Sequence, residues 1–156
     1  MVFFKKLNQH EQVMQFVADI EDEKSLFRLF ESRITARKND QDGWISFVIE
    51  MADTNEMVGL HGIRETREYK THAEIGFLLH PDFQGRGLAL ESTQAVIDLA
   101  FKKLKYESLY ATVTAGNIAS TKLLEKLGFT HKETIERNYQ INGRWYDDLL
   151  FVLDHD

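Results

Sequence analysis

The spacing of apolar residues predicts alternating strands and helices along most of the chain. Apolar positions three and four residues apart predict helices, which we place at residues 10–20, 22–38, 87–104 and 117–129. Alternating or continuous apolar runs predict strands, which we place at residues 1–8, 44–51, 56–65, 72–80 and 108–114. A hairpin is predicted at residues 134–153, because Asn142-Gly143 is a strong signal for a two-residue turn.

Two of the predicted helices have the clearest patterns. The helix at 87–104 carries an apolar stripe made of Leu90, Ile97, Phe101 and Leu104. The helix at 117–129 has both ends marked, since Asn117 is a favourable N-cap and Gly128 a favourable stop. These helices flank the strand at 108–114, and the pattern strand–loop–helix–strand–helix favours parallel pairing in the centre.

The order of elements predicts a mixed α/β (α+β) fold. The meander of three strands and the terminal hairpin favour a mostly antiparallel central sheet, with helices on both faces. The length of 156 residues, without a linker or a repeat, predicts a single domain over 1–156.

Composition and charge narrow the class of protein. With a net charge of −6 and no basic stripe, the chain lacks the positive charges that would neutralise the phosphates of a nucleic acid, so nucleic acid is not expected as a partner. The absence of cysteine excludes a disulfide framework, a Cys nucleophile and a thiolate metal site. No apolar run approaches the ~20 residues that span a bilayer, and no signal peptide pattern is present, so we expect a cytoplasmic protein. His61, His72 and His80 lack ligand spacing, and we assign no metal.

The glycine-rich stretch Gln84-Gly85-Arg86-Gly87-Leu88-Ala89 lies between a predicted strand and a predicted helix. Backbone N–H groups of such a turn, together with a helix N-terminus, form a cradle for an anion. Glycine permits positive φ and close approach of a ligand, and Arg86 adds a charge. The same residues also fit a plain strand-to-helix turn, and the local sequence leaves both interpretations open.

Two common nucleotide motifs do not fit this loop. A dinucleotide fingerprint needs a third glycine three residues after Gly87, where the chain has Leu90. A P-loop needs Gly-Lys-Ser/Thr, whereas Gly87 is followed by Leu88 and Ala89.

The stretches "AEIGFLLHPDFQGRGLALE" and "NIASTKLLEKLGF" resemble the GNAT-type acyl-CoA N-acyltransferases over about residues 44–154. Within that superfamily they are most similar to the Rim-type ribosomal-protein N-terminal acetyltransferases. The hairpin "INGRWYDD" is also similar to spermidine acetyltransferases. The resemblance implies a GNAT fold with a splayed parallel strand pair, here 73–79 and 108–114, and acetyl-CoA as co-substrate.

The resemblance also implies which residues bind the cofactor. The strand before the loop would offer backbone groups to pantetheine and polarise the thioester, by Phe77, Leu78 and Leu79. The loop amides of Gln84, Gly85, Arg86, Gly87, Leu88 and Ala89 would take the pyrophosphate. Asn117 would reach pantetheine, Ser120 would lie near the sulfur, and Lys122, Lys126 or Arg86 would meet the 3′-phosphate. The alternative for Asn117 is a simple N-cap, and for the lysines a solvated charge.

The catalytic groups follow from the same resemblance. Glu74 is the first candidate for the general base, with His72 and Glu91 as alternatives, because the attacking amine must be neutral. Polyamine-type relatives carry a tyrosine as general acid where this chain has Leu124. Leucine cannot donate a proton, so either Ser120 or a water would supply it or the thiolate would leave unassisted, and this departure favours the Rim-type subgroup. Tyr139 and Tyr146 are candidates for lining the acceptor site.

Three hypotheses follow. The first is an N-acetyltransferase that transfers acetyl directly to a primary amine, either a protein N-terminus or a small amine, with a polyamine as the alternative acceptor. The second is a CoA-binding sensor without catalysis, and the third a structural domain in which the loop is only a turn. Relatives commonly dimerise, which makes a homodimer the candidate assembly.

Overall fold

The computed structural model describes residues 1–35, 43–66 and 68–155. Its helices are α1 (Val2–Asn8), α2 (Glu11–Met14), α3 (Glu23–Thr35), α4 (Leu88–Asp98) and α5 (Ile118–Lys126). Its strands are β1 (Ile45–Glu50), β2 (Met57–Glu65), β3 (His72–Leu79), β4 (Ser108–Thr114), β5 (Thr130–Ile141) and β6 (Arg144–Asp154). A 3-10 turn at Pro81–Phe83 follows β3, and a π-helical turn at Leu99–Lys103 extends α4.

One mixed sheet organises the described chain, in the order β1-β2-β3-β4-β6-β5. All neighbours are antiparallel except β3 and β4, which run parallel. The register of this pair covers only His72–Glu74 against Ser108–Tyr110, after which the two strands diverge. This arrangement confirms the mixed, mostly antiparallel sheet and its splayed parallel pair.

Helices cover both faces of the sheet, as predicted. On one face, Ile75 and Leu109 pack with Val96 and Ile97 of α4, and Leu124 of α5 joins the same core. On the other face, Leu60 and Leu78 pack against Leu7 of α1 and against Val13 and Met14 of α2. The alternation of side chains along each strand therefore separates a large core from a smaller one beneath the N-terminal helices.

The N-terminal segment differs from the prediction in two places. Residues 1–8, predicted as a strand, form α1, in which Leu7 is fully buried. An apolar run this short does not distinguish strand from helix until tertiary packing selects one. The helix predicted at 10–20 is the single turn α2, because Phe16 and Val17 line two cavities instead of continuing the helical stripe.

The other predicted elements lie close to their expected positions. The helix at 22–38 corresponds to α3, and residues 36–38 lie outside the described residues. The helix at 87–104 is α4 with its π-helical extension, although Leu104 is exposed rather than part of the buried stripe. The hairpin turn is confirmed: Asn142 and Gly143 both have positive φ, 49° and 76°.

Candidate active site

The loop between β3 and α4 is a strand-to-helix turn with two left-handed glycines. Gly85 has φ 72° and Gly87 has φ 81°, and Gly87 is the residue from which α4 begins. A Cβ added at either glycine meets no atom within 4 Å, so steric crowding does not require glycine there. The positive φ requires it, and the space in front of the loop is open. The side-chain amide of Gln84 donates to the Leu79 carbonyl at 3.2 Å and ties the loop to the end of β3.

A cleft of about 360 Å³ lies in front of this loop. We call it the loop cleft; among the residues that line it are Gln12, Phe16, Phe77, Leu78, Leu79, Gln84, Gly85, Gly87, Leu88, Ala89, Asn117, Ser120, Leu123 and Lys126. Most of the cofactor-binding residues predicted from the sequence are thus brought together. Two are not: Lys122 is exposed outside the lining, and the Arg86 guanidinium lies 5.5 Å from the Phe83 ring centroid.

Asn117, at the start of α5, both caps the helix and lines the loop cleft. Its side-chain oxygen accepts a hydrogen bond from the Ser120 backbone N–H at 3.2 Å, which confirms the predicted N-cap. Asn117 and Ser120 also line the loop cleft. The cap therefore fixes two polar side chains at the place where β3 and β4 separate.

A second cavity, of about 470 Å³, lies on the sheet face beneath the N-terminal helices. The two spaces adjoin at the strand splay, because both are lined by Phe16, Phe77, Leu78, Asn117 and Ser120. Among the polar and aromatic residues that line the second cavity are Asn8, Arg33, Trp44, Ser46, Glu74, Thr112, Thr114, Tyr139 and Asp148.

Of the three predicted base candidates, only Glu74 lines the second cavity. Its carboxylate forms an ion pair with Arg64, its register partner on β2. His72 instead lies 3.4 Å from the Tyr110 hydroxyl through Nδ1, and Glu91 is exposed in the first turn of α4. Tyr139 lines the cavity, whereas Tyr146 is absent from the lining and packs edge-on against Phe16 with ring centroids 6.5 Å apart.

Asp148 is a cavity residue that the sequence analysis missed. It is 6% exposed, and its carboxylate accepts from Asn138 Nδ2 at 2.9 Å and from Thr114 Oγ1 at 3.4 Å. Strand alternation in Asp147-Asp148 indicates that the two carboxylates point to opposite faces. Which one points into the cavity depends on the register of β6 with β4, which the sequence does not contain.

Trp44 and two arginines form a second missed group. A Cβ at Gly62 would lie 2.7 Å from Trp44 Cε3 and one at Gly76 would lie 3.5 Å from Trp44 Cη2, so the indole rests on the sheet above these two paired glycines. The guanidinium carbons of Arg33 and Arg64 lie 5.0 and 4.8 Å from the ring centroid. Burial lowers the pKa of Arg33 to about 10; Arg64 adds to this lowering and Glu74 opposes it.

His61 is a buried, neutral imidazole between the sheet and α4. It is 2% exposed, and its Nε2 lies 3.0 Å from the Thr93 hydroxyl. Burial lowers its pKa to about 4, and a weak interaction of Nδ1 with the Gly76 backbone, without hydrogen-bond geometry, opposes this only in part.

We expect His61 to make the fold sensitive to acid. Because its folded pKa of about 4 is below the unfolded value of 6.5, the unfolded chain binds the proton first as pH falls. This contribution to stability is complete above pH 6.5 and is lost as pH falls towards 4, by about 3 kcal/mol at most. Urea unfolding of wild type and His61→Gln between pH 7 and 4.5 measures it. The variant should have the shallower pH slope, and a His131→Gln control on exposed β5 should keep the wild-type slope; equal slopes in wild type and His61→Gln contradict the assignment.

Within the described residues, no group of three His, Cys, Asp or Glu side chains is arranged to hold a metal ion. None of the helices in the described part of the chain is both long and apolar enough to cross a bilayer.

The splayed strand pair, the left-handed glycine loop and the two adjoining cavities define an α/β protein with a cleft in the middle of its sheet. A family model described as an acetyltransferase (GNAT) domain matches residues 1–130. The chain therefore belongs to the GNAT acetyltransferase family. The fold agrees: the spermidine N-acetyltransferase from Vibrio cholerae, solved with CoA and spermine, aligns with TM-score 0.84 at 24% identity, over 98% of this chain and 88% of that chain.

Two Bacillus proteins are similar in sequence. The probable N-acetyltransferase YjcK of Bacillus subtilis is 42% identical over 86 residues, which are 54% of this chain and 47% of that protein. The uncharacterized N-acetyltransferase p20 of Bacillus licheniformis is 35% identical over 108 residues, 69% of this chain and 60% of that protein. The chain thus spans about half to three-fifths of the length of these two relatives. The comparisons do not separate the Rim-type subgroup from others, and it stays a prediction.

Proposed function

We propose that this protein is an N-acetyltransferase that transfers the acetyl group of acetyl-CoA directly to a primary amine, on a protein N-terminus or a small molecule. The observation that carries the proposal is the groove formed by the two adjoining cavities. Its loop cleft has the backbone donors for a pyrophosphate, and its second cavity has carboxylates suited to an amine. The two spaces meet at Phe77, Leu78 and Ser120, where a thioester and an amine would come together.

The residues of the loop cleft fit the cofactor. The open space at Gly85 and Gly87 admits phosphate oxygens to the loop N–H groups, and the N-terminus of α4 adds a favourable dipole. Beyond Glu74, the edge of β3 that faces β4 has no partner strand among the described residues, so its backbone groups are free for a ligand. Bound acetyl-CoA supplies the acetyl group as a reactive thioester.

Chemistry at the junction then rests on three groups. A backbone N–H at Phe77 or Leu78 stabilises the oxyanion that forms when the amine attacks the thioester carbonyl. Glu74 accepts the amine proton through a chain of water molecules, since about three residues of β3, or roughly 10 Å, separate it from Phe77. Ser120 donates a hydrogen bond that stabilises the leaving thiolate, since Leu124 is fully buried in the core and carries no proton to give.

A polyamine is the second candidate acceptor. It is favoured by the two carboxylates in the second cavity, Glu74 and Asp148, which suit a cationic chain. The spermidine N-acetyltransferase with a related fold agrees with this alternative at the level of the fold only.

We infer a homodimer as the assembly and the cytoplasm as the location. The long edge strand β5 is exposed along almost its whole length, and Ile135, Tyr139 and Trp145 expose 38%, 41% and 48% of their surface on this hairpin. Exposed apolar side chains on a sheet edge are typical of an interface. The cytoplasm supplies acetyl-CoA, the substrate of the proposed reaction.

A binding assay followed by a turnover assay tests the proposal. At 100 times its dissociation constant, acetyl-CoA should stabilise the fold by about 2.7 kcal/mol and raise the melting temperature by roughly 5–10 °C. Pantetheine, which lacks the pyrophosphate, should give a much smaller shift at the same concentration. Thiol release should then be measured with N-terminal peptides, amino acids, alkylamines and spermidine.

Each outcome has a distinct meaning. Thiol release with a primary amine supports the transferase. If acetyl-CoA binds but no amine causes release of the CoA thiol, the transferase is overturned in favour of a CoA-binding sensor. The absence of any thermal shift would indicate that the loop is only a structural turn.

A further inference from the structure

The second cavity has opposite charges at its two ends. Asp148 pairs with Thr114 on β4, three residues before Asn117, and so lies at the end next to the loop cleft. Arg33 lies over Trp44, at the end marked by the Arg64–Glu74 pair. Tyr110 is the register partner of Glu74, and Thr114 is four residues further along β4, so the two ends are about 13 Å apart in the strand direction. They are also displaced across the sheet, because Arg64 lies on β2 and Asp148 on β6.

The charge at the Arg33 end is not balanced by the described residues. The cluster contains two guanidiniums and one carboxylate, and that carboxylate is paired with Arg64. The pKa of Arg33 is lowered to about 10 but stays far above neutral pH, so Arg33 is charged at neutral pH. Two like charges beside one aromatic ring, partly removed from water, are costly unless an anion compensates them.

The Trp44 end is also rigid. Glycines at 62 and 76 leave room for the indole to lie on the sheet, and the added Cβ at Gly62 would come within 2.7 Å of it. A guanidinium held against such a ring keeps its planar fork oriented, which suits two parallel hydrogen bonds to a carboxylate. Arg33 faces a cavity of about 470 Å³, enough for a small molecule.

We propose that the acceptor is a small amine that also carries a carboxylate or a similar anionic group, with its ammonium at Asp148 and its anion at Arg33. The inference rests on the proposed acetyl transfer and specifies its substrate class. Asp148 holds the amine next to Ser120 and the thioester position, and Arg33 selects for the opposite end of the molecule. The separation of the ends favours several bonds between the two groups, as in an ω-amino acid.

Matched pairs of amines test this inference. Thiol release should be measured with 4-aminobutyrate against butylamine and with 6-aminohexanoate against hexylamine, each pair differing only by the carboxylate. In at least one pair, we expect kcat/KM to be at least about ten-fold higher for the amino acid than for the matched alkylamine. This is the effect expected from one charge-assisted hydrogen bond to the carboxylate. Arg33→Gln should remove that preference, because it lowers kcat/KM for the amino acid much more than for the alkylamine, and Arg33→Lys should restore part of it.

Arg28→Gln is the control, because it removes the same charge from an exposed position of α3 that does not line the cavity. A melting curve without acceptor checks that Arg33→Gln is folded, since the variant loses the contact with Trp44 as well as the repulsion with Arg64. Faster turnover of alkylamines or spermidine than of the matched amino acids overturns the inference while the acetyl transfer itself stands. Equal losses with both members of a pair also overturn it.

Discussion

Gly87→Val should abolish acetyl-CoA binding at concentrations that saturate the wild type. The Cβ and methyl groups would project from a φ of 81° into the open space in front of the loop, where the pyrophosphate is proposed to lie. Loss of two charge-assisted hydrogen bonds from loop N–H groups should weaken binding by at least about 100-fold. Isothermal titration or the shift in melting temperature with acetyl-CoA measures this directly.

The hairpin turn offers a matched control for this substitution. Gly143 has φ 76° and, like Gly87, meets no atom within 4 Å of an added Cβ, yet it lies outside both cavities. Gly143→Val should therefore carry a similar backbone strain, roughly 1–2 kcal/mol, and leave acetyl-CoA affinity unchanged. If both variants lost affinity equally, the loop would have no specific role in binding.

Glu74→Gln should lower kcat by about 100-fold or more, because a general base in the transition state contributes about 10² to 10⁴. The loss should be largest at low pH, where most of the amine is protonated and must lose a proton before it attacks, so the rising limb of the pH–rate profile should become steeper. Steady-state kinetics across pH 6–9 with a saturating amine gives the measurement.

Two other carboxylates separate the roles in this experiment. Glu91→Gln removes an exposed carboxylate that does not line the groove, and should leave the profile as in wild type. Asp148→Asn should raise KM for the amine more than it lowers kcat, as expected for a residue that holds the ammonium. An unchanged pH–rate profile in Glu74→Gln would remove Glu74 as the base, whatever the size of the effect on kcat.

The loop and its surroundings could be predicted because their signals are local. Positive φ at Gly85 and Gly87, the cap at Asn117 and the turn at Asn142-Gly143 each depend on a few neighbouring residues. The resemblance to GNAT enzymes then placed these pieces in order, and the sheet topology agreed. α1 was predicted wrongly because the apolar run at residues 1–8 is too short to select a period without the core that buries Leu7.

The second cavity could not be predicted because its walls come from distant parts of the chain. These walls include Arg33 of α3, Trp44 just before β1 and Asp148 of β6. Only the folded sheet brings the three residues to one face. Nothing in the local sequence marks the glycines at 62 and 76 as part of a site. Their function, to admit an indole ring, depends on the register that pairs them across β2 and β3.

Because β3 and β4 diverge, we expect the resistance of this protein to proteolysis to depend on the concentration of acetyl-CoA. A sheet that stops pairing in its centre gives up ladder hydrogen bonds, and the empty protein is correspondingly easier to open locally. A ligand that occupies the gap stabilises the folded state by mass action, so the unfolded fraction falls as the acetyl-CoA pool rises. Since proteases act on opened chains, the abundance of this protein should follow the supply of the substrate that we propose it uses.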